Sequence, residues 1–201
     1  MSSFSDQPDN EPLQRTSFMN VPKSVQSFWD KFQASIAYDA SPLFYEVFHF
    51  DDNEPTANAL AALVLSGQKR ATAGLLWTNE LTNKPLPKVG DLSVVTDWHG
   101  VPVCIIESTH IEIVPFDSVS DSFAAIEGEG DKTLRYWREA HWRFFSRECQ
   151  RIGRGRVPGL VEKRSGAFFR LVKCTTNAPP CRAATGGTRH GQGYQGRCAG
   201  A

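Results

Sequence analysis

The sequence predicts an α+β fold, a small β-barrel with flanking helices and disordered ends. Three observations predict it. Short apolar segments of strand type, punctuated by turn residues, fill the stretch 92–114. Stretches with helical spacing of apolar residues lie on both sides of it. Both termini have compositions that cannot build a core.

Residues 1–22 are expected to be a disordered tail, rich in Ser, Asp, Asn, Pro and Gln. Phe28, Trp29 and Phe32 fall on one helical face, which predicts a helix over 24–36 packed on the main body. A second helix begins at Asp52 or Asn53, with Pro55 in its first turn. It carries Leu60, Leu63 and Val64, and stops at Gly67. Leu92–Trp98 reads as a strand, His99-Gly100 as a tight turn, and 101–108 and 110–114 as two further strands. The acidic run Glu127-Gly128-Glu129-Gly130-Asp131 reads as a loop that leads into a third helix. Asp131 or Thr133 caps it, and Leu134, Trp137, His141, Phe144 and Phe145 form its stripe. Phe168–Val172 reads as the last strand. The domain is therefore set at 23–172, with 173–201 a disordered low-complexity tail.

Charge narrows the function classes. The chain has 22 basic and 22 acidic residues, so it does not grip long nucleic acid by net charge. A local basic cleft or a nucleoside-sized ligand remains compatible. The five cysteines include no Cys-x-x-Cys pair, which gives no zinc site and no disulfide framework. No apolar run has transmembrane length and the N-terminus has no leader pattern, so a cytoplasmic protein without membrane contact is expected.

Three runs carry a resemblance. Gly67-Gln68-Lys69-Arg70-Ala71-Thr72, Pro87-Lys88-Val89-Gly90-Asp91, and the acidic run with Leu134, Trp137, Arg138 and His141 occur in the order seen in the ASCH domain family. The likeness covers roughly residues 40–172. It implies a PUA-like barrel around a cleft, with RNA or a modified nucleoside as partner. It also implies hydrolysis, of an N4-acetylcytidine-type amide or of an RNA phosphodiester. The working set it implies is Lys69, Thr72 and Glu127, with Glu129 as the alternative to Glu127. Arg70, Trp98, Glu129 and Asp131 are the expected substrate contacts. The other reading is a non-catalytic module binding RNA or a small ligand in the same cleft.

The chemistry of these groups leaves two assignments open. A desolvated Lys69 can take a proton from the Thr72 hydroxyl. Alternatively a charged Lys69 serves as oxyanion donor while Glu127 or Glu129 acts as base. Lys69→Ala is expected to abolish hydrolysis and leave the fold intact. No cofactor is expected; a divalent ion at the acidic run is the minor alternative. Trp98, beside a turn, is a stacking candidate, whereas Trp137 and His141 read as core. The arginines from Arg135 to Arg154 form either a solvated helix face or an edge that contacts phosphate.

Overall fold

The computed structural model describes residues 20–153 and 166–175. In chain order these form α1 (Gln26–Ala34), β1 (Phe44–Phe48), α2 (Glu54–Leu65), β2 (Ala71–Leu75), α3 (Leu76–Leu81), β3 (Leu92–Thr96), β4 (Pro102–Pro115), α4 (Asp121–Glu127), α5 (Leu134–Arg151) and β5 (Gly166–Cys174). Of the tails expected over 1–22 and 173–201, residues 1–19 and 176–201 fall outside the described residues. β5 runs to Cys174, two residues past the boundary expected at 172.

Local chemistry sets the helix starts. The Asn53 side chain accepts from the Thr56 N–H, with Pro55 in the first turn of α2. Thr133, rather than Asp131, caps α5 by accepting from the Tyr136 N–H. The buried side of α2 is formed by Ala57, Ala61 and Val64. Small residues there bring the helix close to the sheet, and Leu63 turns toward a cleft. Gln68 and Lys69 donate their backbone N–H groups to the Leu63 carbonyl, which closes the helix end.

The strands form one mixed sheet in the order β1-β3-β4-β5-β2. β1 pairs with β3 in parallel, and the other neighbours are antiparallel. The two strands expected at 101–108 and 110–114 are one continuous strand, interrupted by a register shift between Ser108 and His110. A bulge of this kind turns the strand without ending it. β1 lies beyond the helix expected over 24–36, in a stretch for which no strand was expected. Leu92, Val94 and Ile105 face α1 with Trp29 and Phe32. Val95, Cys104 and Ile106 face α2 with Ala61 and Val64. The strand alternation thus serves a layer on each face of the sheet.

The expected barrel is not closed. β1 and β2 are the two edges of the sheet, and no pairing joins them among the described residues. Tyr45 and Phe48 of β1 and Thr72–Leu75 of β2 instead line opposite parts of one cavity of about 280 Å³. The two edges thus border one pocket without pairing across it. β1 has only five residues and a register shift between Phe44 and Glu46, and β2 passes directly into α3. Neither edge offers a long regular ladder.

A third packed cluster joins α4 and α5 to the sheet through Leu75, Phe116, Ala124, Trp137 and Phe145. The end of α4 is pressed against the chain after α2. Gly128 has φ +74°, and a Cβ there would lie 2.3 Å from the Gln68 carbonyl oxygen. The Gln68 side chain in turn donates to the Gly128 carbonyl at 2.7 Å. Gly128→Ala is expected to cost at least about 1–2 kcal/mol from the left-handed backbone alone, and more from the collision with backbone. Thermal melting of the variant measures this; an unchanged melting temperature contradicts the close approach.

Candidate functional site

Lys69 follows α2 and is almost fully buried, 2% exposed. Its Nζ donates to Glu127 Oε1 at 2.9 Å and to Glu129 Oε1 at 2.5 Å. The Phe50 ring lies 5.3 Å below the ammonium. Glu127 is the last residue of α4, not a loop residue, and is 1% exposed. Its carboxylate also accepts from the Ala73 backbone N–H at 3.2 Å and from the Trp137 indole N–H. His141 Nε2 lies 3.5 Å from Glu127 Oε1.

The His141 ring sits between two acceptors. Its Nδ1 is 3.0 Å from the Trp137 carbonyl oxygen, and its Nε2 faces a carboxylate. Both partners can only accept. A ring protonated on both nitrogens satisfies both contacts, so the geometry favours the imidazolium. The ring stacks on Trp137, with centroids 4.2 Å apart and planes 15° apart.

Four charges thus close on one another. Burial pushes the Lys69 ammonium toward deprotonation, but Glu127 and Glu129 outweigh it and hold the group above its ordinary value. Burial pushes the Glu127 carboxyl up, yet Lys69 and His141 bring it down to about 2. Burial opposes charge on His141, and Glu127 reverses this and raises it. Glu127 supports stability above its ordinary value of 4.5, a contribution lost as pH falls toward about 2. His141 has the opposite sign. Its contribution is full below the ordinary value of 6.5 and is lost as pH rises through the raised folded value. Melting temperature is expected to fall from about pH 6.5 upward in the wild type. His141→Gln should flatten that decline, as read from melts across the range. A decline of equal steepness in the variant contradicts a charged His141.

Lys69, Thr72, Glu127 and Glu129 all line a cleft of about 520 Å³ between α2, β2 and α5. The expected triplet is therefore brought to one place. Thr72 lies on β2, half-buried, and its hydroxyl makes no hydrogen bond among the described residues. The other expected contacts lie outside the residues lining this cleft. Arg70 has an exposed side chain, while its backbone N–H donates to Ile126 and its carbonyl accepts from Val172. Trp98 packs on His49, with ring centroids 4.9 Å apart. Asp131 accepts from the Thr133 N–H and hydroxyl in the turn before α5, and these bonds lower its carboxyl.

Trp137 and His141 read as core from sequence and are core, but both also contact Glu127. The available signal was polar: a Trp and a His four residues apart on an apolar stripe each bring ring N–H groups that need acceptors. Glu127, Glu129 and His141 also offer ligand atoms within 4.8 Å of one another. The Lys69 ammonium already bridges both carboxylates, so a cation entering there would have to displace it. The same geometry revises the fold-neutral expectation for Lys69→Ala: truncation leaves two carboxylates without their buried counter-charge.

No helix among the described residues is long and apolar enough to cross a membrane. A family model for the ASCH domain matches residues 46–158. Similar solved structures include an ASCH domain from Lactobacillus crispatus JV V101, with 36% identity and a TM-score of 0.69 over 78% of this chain and 97% of that one. Another is a protein from Enterococcus faecalis V583, with 30% identity and a TM-score of 0.64 over 76% of this chain and 88% of that one. No curated protein matches the chain. With over half its length matched by the family model and a solved relative of this identity covered almost end to end, the chain belongs to the ASCH domain family.

Proposed function

We propose that this chain is a hydrolase that cleaves the acyl amide of an N4-acetylcytidine-type nucleoside, free or within RNA. The observation that carries the reading is the Lys69 ammonium held between two carboxylates on the wall of a cleft of nucleoside size. Lys69 is a poor base because its neighbours stabilise the charged form. It is well suited to meet the negative charge that develops on a carbonyl oxygen. Glu127 is saturated by donors from Lys69, Ala73, Trp137 and His141, which makes it a positioning group. Glu129 is the more open carboxylate, with a side chain 13% exposed against 1% for Glu127, and is assigned as the base.

In this scheme the attacking oxygen comes from water or from the Thr72 hydroxyl, and its proton passes to Glu129. The new C–O bond pushes charge onto the carbonyl oxygen, where Lys69 donates. Collapse breaks the C–N bond, and the proton held by Glu129 goes to the departing exocyclic amine. With water as nucleophile the products are cytidine and acetate; with Thr72 as nucleophile, cytidine leaves first and the acetyl ester on Thr72 is then cleaved by a water that Glu129 deprotonates, releasing acetate and restoring the hydroxyl. The family resemblance supports this chemistry, and so does the charge balance. Two cations facing two carboxylates form a nearly neutral environment, which suits an uncharged amide better than a phosphodiester anion.

The test is incubation of the purified chain with N4-acetylcytidine and, separately, with labelled single-stranded RNA. Release of acetate and cytidine with intact RNA is expected. Cleaved RNA with intact N4-acetylcytidine selects the phosphodiester reaction and overturns the amide assignment. Retention of either compound without reaction selects the non-catalytic binding module.

A further inference from the structure

The face that α5 turns toward the cleft is built at helical spacing. Tyr136, Ala140, Arg143 and Arg147, spaced four, three and four residues apart, all line it. Ala140 leaves room at the centre of this stripe, and the two arginines occupy its C-terminal half. The cleft carries three permanent cations, Lys69, Arg143 and Arg147, and two of them are committed. Lys69 is held by Glu127 and Glu129. Arg147 grips Asp52 through Nε at 2.6 Å and reaches Asp51 at 3.2 Å. Asp51 is further held by the Asp52 backbone N–H at 2.6 Å.

Arg143 is different. It is exposed, and its guanidinium makes no hydrogen bond or ion pair among the described residues. Its neighbours in the basic run are otherwise engaged: Arg138 donates to the Asp117 carbonyl, and Arg151 pairs with Glu148. Arg135 is not among the residues lining the cleft. A guanidinium presents a fork of donors matched to phosphate oxygens, and an uncommitted one at a binding cleft is ready to accept such a group.

We infer that Arg143 binds a phosphate of the substrate at the mouth of the cleft, so that the chain selects a nucleotide or RNA over a free nucleoside. This rests on the reading of the cleft as a nucleoside site and deepens it by naming the substrate class. The division of labour is physical. The deep end is charge-balanced and takes the uncharged base, while the outer wall supplies the unspent positive charge for the backbone.

Binding of cytidine, cytidine 5′-monophosphate and cytidine 3′-monophosphate to wild type and to Arg143→Gln, by calorimetry at low and high salt, tests it. Wild type is expected to bind one monophosphate about ten- to a hundredfold more tightly than cytidine, a preference that salt weakens. Arg143→Gln should remove that preference and leave cytidine affinity unchanged. Equal binding of all three ligands by wild type, or a preference that survives in the variant, overturns the inference while leaving the nucleoside reading standing. A wild type that binds none of the three overturns both. The side chain is exposed, so unchanged melting of the variant is expected and separates lost contact from lost fold.

Discussion

Lys69→Met is expected to destabilise the chain by about 3–5 kcal/mol and to abolish turnover, because it removes the counter-charge of buried carboxylates. The substitution keeps much of the side-chain volume, so the loss is electrostatic rather than a cavity effect. Glu127 then retains the Ala73 N–H, the Trp137 N–H and His141, but loses its nearest cation at 2.9 Å. Glu129 loses the partner at 2.5 Å. Adding Glu127→Leu to Lys69→Met should recover part of the lost stability, since the unpaired buried charge disappears with it. It should recover none of the activity. Urea unfolding of the two variants beside wild type reads the first effect and acetate release the second. A Lys69→Met protein as stable as wild type means that the ammonium is not the counter-charge described.

Glu129→Gln is expected to lower kcat by about 10²- to 10⁴-fold, the usual contribution of a general base. Its effect on melting should be small. The amide oxygen can still accept from Lys69, and the position is less enclosed than Glu127. Glu127→Gln should show the opposite balance. That carboxylate meets only donors, and the amide would turn an N–H₂ group toward one of them. Stability then falls strongly, and activity follows through the displaced Lys69. Comparing kcat and melting temperature for the pair separates the two roles. If Glu127→Gln loses turnover while melting like wild type, and Glu129→Gln keeps turnover, the assignments exchange.

The meeting of Lys69 with the acidic run was legible only through the order of the motifs. The partners are 58 residues apart, and no local rule of spacing joins them. Helix starts at Asn53 and Thr133 were legible because capping is a short-range hydrogen bond that sequence displays directly. The end of α4 was not. Ala124 to Glu127 is a single helical turn stopped by Gly128, and glycine-rich acidic runs read as loop. Hence Glu127 was expected on a loop and stands on a helix end, fixed more rigidly than Glu129 two residues on. β1 was hidden for another reason. Its aromatic residues extend a run whose first members, Phe28, Trp29 and Phe32, follow helical spacing. The open seam between β1 and β2 was invisible because closure depends on the two edges finding a common register, a tertiary property. Trp137 and His141 were assigned correctly by burial and incompletely by chemistry. Hydropathy periodicity records the apolar body of each ring and not the N–H it points at Glu127.

A charged Lys69, shared by two carboxylates, faces the cleft proposed to take the substrate. Nitrogen-15 NMR of the lysine Nζ groups, followed through a pH titration with and without cytidine, tests it most directly. One ammonium signal protected from solvent exchange and absent in Lys69→Met is expected; it should stay protonated past the ordinary lysine value of 10.5 and shift when cytidine is added. A Lys69 signal that titrates below that value, or one that saturating cytidine leaves unmoved, contradicts it.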